Sequence, residues 1–175
     1  PVKGASREEL IQFSVMSSLL DPTPEGKSTV ELGRKQGCIL GAEVPAGMTF
    51  VEFTAQSKMS GVNMADGTIV RKGASSAVQA MVKEMGGTIP EDLEEIVNRV
   101  SNLGGTPLAV AVGKRILGVI YLKDTVKPGL VERFARLREI GIKTVMCTGD
   151  NPLTAATIAR EAGVDGFIAE CKPED

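Results

Sequence analysis

The sequence of 175 residues contains no histidine, so any chemistry must run on carboxylates, amines, hydroxyls or thiols. Ser-His-Asp and Cys-His catalysis and His-ligated zinc are excluded. The best-placed candidates are Thr148 and Asp150 in "CTGDNP". This stretch follows the apolar segment Ile142 to Cys147 and opens a helix, with Asn151 as cap and Pro152 in the first turn. In open α/β sheets ligands bind at the carboxyl ends of strands, where helix N-termini offer free N–H groups to phosphate. A Gly-Asp turn with a capping role is the plainer alternative, and spacing does not choose between them. In "VRKGA", Lys72 lies near a strand end beside Gly73, which would let a ligand approach the backbone; a solvated strand end is the alternative. Phe53 shares a strand face with Val51, and Phe50 the other with Met48, so one phenylalanine faces the core. Glu25 complements a helix dipole.

One motif is misleading. Gly26-Lys27-Ser28 imitates the end of a phosphate-binding P-loop, but the pattern's first glycine is Asp21 here, and a helix precedes it rather than a strand. The P-loop is rejected.

The elements that must position these residues fall into two groups. Ser6-Arg7-Glu8-Glu9 is a capping box opening a helix to Leu20, and Thr23-Pro24 starts a second. From Met48 the pattern turns to short strands, "MTFVEFTA", "KMSGVNMA" and "TIVRKGA", with a hairpin signal at Asp66-Gly67. Helices Ser75 to Met85 and Pro90 to Leu103 follow, then a hairpin of "TPLAVAVG" and "RILGVIYLKD". To about Asp124 this predicts an α+β unit, an antiparallel sheet with flanking helices. Thereafter helix Pro128 to Ile140, strand "IKTVMC", helix Pro152 to Ala162 and strand "GFIA" predict parallel βαβ construction. The boundary falls near Lys123 to Pro128, giving domains 1–124 and 125–175.

Composition sets limits. A 42% hydrophobic, 24% charged chain of net charge −2 is globular and gives no reason to expect nucleic acid. No apolar run of about 18 residues and no signal peptide occur, so a soluble, cytoplasmic chain is the default expectation. Cys38, Cys147 and Cys171 are odd in number and far apart; they read as small core residues, not disulfide partners.

"TPEGKS", "FTAQSKMSG", "IVRKGA", "GGTPLAV", "KDTVKPG" and "KTVMCTGDNPLTA" occur in an order that resembles the P-type ATPases. The wording is closest to the ATP-binding subunit of the Kdp-type potassium-transporting branch. The resemblance covers nearly the whole chain: a nucleotide-binding domain, a hinge, and part of a haloacid-dehalogenase-like phosphorylation domain. It implies ATP as ligand, magnesium in the intact parent, and potassium-translocating and accessory membrane subunits as partners, at the cytoplasmic side of the plasma membrane. It further implies that Phe53 stacks on adenine, that Lys72 and Gly73 close the base pocket with Ser60 and Glu25 nearby, and that Asp124 and Lys127 belong to the hinge. Thr148 would hold the transferred phosphoryl group, with Asp150 positioning it or the nucleotide. No metal ligand is assigned. Two departures stand out: Ser75 and Ser76 replace an acidic residue common after Lys-Gly, and Lys127 stands where many relatives have Arg, losing a bidentate grip.

The Asp-Lys-Thr-Gly-Thr segment, whose Asp accepts phosphate in these pumps, is not in the sequence. The expectation is therefore an excised piece that does not turn over alone. Two rivals remain. A haloacid-dehalogenase-type phosphatase needs a strand ending in Asp-x-Asp, which is missing. A pump for another cation, such as copper, typically carries a His-Pro pair, which a chain without histidine lacks.

Overall fold

The computed structural model describes residues 1–38, 45–123 and 126–172. Two compact units divide the chain: Pro1–Ile96 with Pro107–Ile120, and Val97–Thr106 with Tyr121–Asp175.

In the first unit, α1 (Arg7–Ser18) begins where the Ser6 hydroxyl accepts from the Glu9 N–H at 3.0 Å. Helix α2 (Pro24–Lys35) begins at Thr23, whose hydroxyl accepts from the Gly26 N–H at 3.1 Å. A helix leads into Gly26-Lys27-Ser28, so the rejection of a P-loop holds. Five strands follow in sheet order: β1 (Thr49–Val51), β2 (Met59–Asn63), β3 (Ile69–Ala74), β4 (Thr106–Val112) and β5 (Arg115–Leu122). The first three pairings are antiparallel. The β2–β3 hairpin turns at Asp66-Gly67, as expected: Asp66 Oδ1 accepts from the Thr68 N–H at 2.8 Å, and Gly67 takes the left-handed φ of +88°. Helices α3 (Ser75–Glu84) and α4 (Leu93–Asn102) lie between β3 and β4 in sequence.

Register decides which face is core. Phe50 stands opposite Val62, Val62 opposite Val70, and Val70 opposite Val112, and directly paired residues point the same way. This row packs with Met16 of α1, alongside Phe13, Met48 and Met64. Fully burying Val62 and Val70 contributes roughly 1.5–3 kcal/mol each. Strand β1 is shorter than "MTFVEFTA" predicts. At Thr54 the chain turns, the carbonyl accepting from the Lys58 N–H at 2.8 Å and the hydroxyl from the Ser57 N–H at 3.0 Å. Glu52 and Phe53 are left outside the ladder.

In the second unit, α5 (Leu130–Glu139), β6 (Val145–Cys147), α6 (Pro152–Ala162) and β7 (Gly166–Ile168) follow one another. Strands β6 and β7 are parallel, with Cys147 opposite Ile168, and α6 connects them. The expected βαβ construction is present, so the chain is α+β followed by α/β. Strand β6 is also shorter than predicted. The Ile142 N–H donates to the Leu137 carbonyl at 2.9 Å, closing α5, and the Thr144 N–H donates to Asp165 Oδ2 at 2.8 Å. That backbone bond and the Arg138 guanidinium hold the Asp165 carboxyl below the usual aspartate range. The cysteines are not core residues: Cys147 is exposed, and Cys38 and Cys171 are half-buried. Cys147 shares a face with exposed Val145 that no described residue covers. Among the described residues no helix is long and apolar enough to cross a membrane.

Candidate functional site

Lys72 is not a solvated strand end. Its side chain is 3% exposed, and Nζ donates to Asp21 Oδ2 at 2.6 Å and to Ser18 Oγ at 2.9 Å. Asp21 is in turn held by Thr23, whose N–H and hydroxyl both donate to Oδ1, at 3.0 and 2.6 Å. Burial pushes the Asp21 carboxyl up, but the bonds from Lys72 and Thr23 outweigh it and hold the group below its ordinary value. The residue that broke the P-loop pattern is thus the counterion of the candidate lysine. Gly26 makes this possible, because a Cβ there would stand 2.5 Å from Asp21 Cγ. An ammonium has three donors, and two are engaged here.

Ser60 stands directly opposite Lys72 across β2–β3 and is buried. Glu25 is exposed in the first turn of α2, the helix whose cap bonds Asp21. Lys72, Ser60 and Glu25 thus belong to one neighbourhood of the first unit. Gly73 is adjacent, but its missing side chain serves the chain itself: a Cβ would lie 2.2 Å from the Lys58 carbonyl oxygen. Phe53 is 59% exposed while Phe50 packs in the core, so of the two rings it is Phe53 that can meet a ligand.

Sequence reasoning missed Lys58. It takes a left-handed φ of +51° at the end of the turn that begins beside Phe53, is exposed, and has no charged partner among the described residues. Non-glycine residues held in this region cluster at ligand-binding positions. Its charge after Phe53 was the legible signal; its backbone conformation was not.

In the second unit, Thr148 and Asp150 bond each other at the carboxyl end of β6. The Thr148 hydroxyl donates to Asp150 Oδ2 at 3.3 Å and accepts from the Asp150 N–H at 3.2 Å. Asn151 caps α6 as expected, accepting from the Thr154 N–H at 3.0 Å. The segment after β7 wraps this loop: the Glu170 N–H donates to the Asp150 carbonyl at 2.9 Å, and the Cys171 N–H to that of Thr148 at 3.0 Å. Glu170 has a left-handed φ of +57°. Asp150 Oδ1 accepts from Thr106 Oγ1 at 3.3 Å, a contact the sequence did not announce. Lys127 is exposed; Asp124 lies outside the described residues. Among the described residues no three acidic or thiol side chains converge as a metal seat.

A five-stranded antiparallel sheet with flanking helices, followed by a βαβ unit bearing a Thr-Gly-Asp loop, defines a class. The haloacid dehalogenase-like hydrolase family matches residues 21–175, and the chain belongs to that family. Within it the similarity is to P-type potassium pumps. The chain is 65% identical over 174 residues to the potassium-transporting ATPase ATP-binding subunit of Clostridium acetobutylicum, covering 99% of this chain and 25% of that protein. It is 57% identical to the like-named subunit of Caldanaerobacter subterraneus subsp. tengcongensis, covering 100% of this chain and 26% of the relative. The chain thus spans about a quarter of the length of these curated relatives. Solved structures share the fold. A zinc-transporting PIB-type ATPase in its E2.Pi state superposes with a TM-score of 0.58 at 24% identity, over all of this chain and 26% of that one. The catalytic domain of the CPx-ATPase CopB-B gives 0.56 at 12% identity, over 94% and 52%.

Proposed function

We propose that this chain is the ATP-binding part of a P-type potassium-transporting ATPase, which couples ATP hydrolysis through an aspartyl-phosphate to potassium uptake. The observation that carries the reading is the 65% identity with an ATP-binding subunit over 99% of the chain. Phe53 stacks on adenine, Lys72 and Ser60 face the base pocket, and Glu25 lines its rim. Lys58, exposed and without a charged partner among the described residues, supplies a cation for phosphate. Gly73 supports the pocket by admitting the Lys58 backbone. Thr148 holds the transferred phosphoryl group and Asp150 positions it; Asp124 and Lys127 belong to the hinge. The acceptor Asp belongs to a segment outside these 175 residues, since no Asp-Lys-Thr-Gly-Thr run occurs in them. Magnesium accompanies the nucleotide phosphates in the intact pump, whose partners are potassium-translocating and accessory membrane subunits. The domain works at the cytoplasmic side of the plasma membrane, with residues 1–124 binding nucleotide and 125–175 forming part of the phosphorylation domain.

ATP titration followed by amide NMR tests the reading. Base–aromatic stacking contributes about 1–3 kcal/mol, while millimolar affinity totals only about 4 kcal/mol. Phe53→Ala should therefore remove most of the binding and leave the fold intact. Phe50→Ala should destabilise by about 3 kcal/mol. Because base contacts dominate, magnesium should change affinity little. Unchanged binding in folded Phe53→Ala, or a large gain with magnesium, would refute the proposal.

A further inference from the structure

We propose that Thr106 is a positioning residue for Asp150, keeping its carboxylate in place when the Thr148 hydroxyl turns to a phosphoryl oxygen. The inference rests on the function proposed above for Thr148. The Thr148 hydroxyl has one proton to give, and it goes to Asp150 Oδ2. Donating it to a ligand removes one of two hydroxyl bonds on that carboxylate. The other, from Thr106 Oγ1 to Oδ1, is then the remaining side-chain donor among the described residues. It spans 3.3 Å.

Thr106 can hold Asp150 because its own segment is pinned. Asn151 Nδ2 donates to Ser101 Oγ at 3.1 Å, and Thr154 Oγ1 donates to the Gly105 carbonyl at 2.8 Å. Ser101 and Thr154 are both buried. Gly105 is required where it is, since a Cβ would lie 1.8 Å from the Tyr121 ring. Three consecutive polar contacts therefore clamp residues 101–106 of the second unit to the start of α6. Only the Thr106 contact reaches a side chain proposed to touch the reacting group. A threonine that merely opened β4 would not need its hydroxyl on this carboxylate.

The first test reads the Asp150 χ1 rotamer from three-bond couplings in the 175-residue chain. Thr106→Val should convert a single rotamer to an averaged one. Thr106→Ser, which keeps the hydroxyl, and Ser101→Ala, which removes a neighbouring bond, should leave it fixed. Thr106→Ala serves if the valine fails to fold. Unchanged couplings in a folded valine or alanine variant would overturn the proposal. The second test measures ATP hydrolysis by the full-length protein. Thr106→Val should lower kcat roughly ten- to a hundredfold with the KM for ATP unchanged, serine should restore it, and Asp150→Ala, which removes the acceptor, should abolish any further effect of the valine. Additive losses, or no rescue by serine, would count against positioning. If Asp150→Ala alone leaves kcat unaffected, the role proposed for the loop fails, while the couplings still decide whether Thr106 holds Asp150.

Discussion

Replacing Asp21 by Asn isolates the buried ion pair. The substitution keeps an oxygen to accept from Thr23 but removes the charge facing an ammonium that is 3% exposed. Taking one partner from a buried pair costs about 3–5 kcal/mol. Because Ser18 still accepts from Lys72 at 2.9 Å, the lower end, about 3 kcal/mol, applies. That is a large share of a total stability of about 5–15 kcal/mol. With a urea slope of about 2 kcal/mol per molar, the midpoint should fall by about 1.5 M. Far-UV circular dichroism is the assay, since the chain has no Trp and one Tyr. Adding Lys72→Met removes the stranded charge, so the double variant should recover at least half the loss. The pH dependence has a definite sign. The Asp21 carboxyl is held low in the folded state, so its contribution is present above the unfolded value of about 3.9 and fades as pH falls through the lower folded value. The gap between wild type and Asp21→Asn should therefore narrow on acidification. An Asn variant within about 0.5 kcal/mol of wild type at pH 7, the scatter of an ordinary surface substitution, or a double variant no more stable than the single, would refute the reasoning.

Gly26→Ala sets helix propensity against packing. Propensity alone favours alanine by about 1 kcal/mol, but its Cβ would lie 2.5 Å from Asp21 Cγ and 2.8 Å from the Asp21 carbonyl oxygen. A net loss of about 1–3 kcal/mol is expected, read as a lower melting temperature; a more stable variant would mean the close approach is not needed. Lys58→Gln should weaken ATP binding about threefold to fivefold, as the loss of one exposed charge contact of under about 1 kcal/mol implies. Its melting temperature should not move, and a titration that matches wild type would remove Lys58 from the site.

What the sequence determined by itself is local. Ser6, Thr23 and Asn151 each cap a helix by accepting from an N–H three residues on, and Asp66-Gly67 turns a hairpin. Such bonds close within a few residues, so residue type and spacing suffice. The alternation that separates Phe50 from Phe53 was legible too, although the turn at Thr54 cut the strand short. Six ordered motifs carried the family. Tertiary structure decided the rest. Asp21 and Lys72 are 51 residues apart, so nothing in "DPTPEGKST" says its first carboxylate is a counterion; only the packing of α1 against the sheet supplies the charge. Gly73 reads as room for a ligand, but the turn before β2 fills that space with the Lys58 carbonyl. Thr106 and Asp150 are 44 residues apart and meet because Ser101 and Gly105 anchor the segment before β4 to α6. A side chain's partner across such a distance depends on register and docking, which are properties of the whole fold and not of any one stretch.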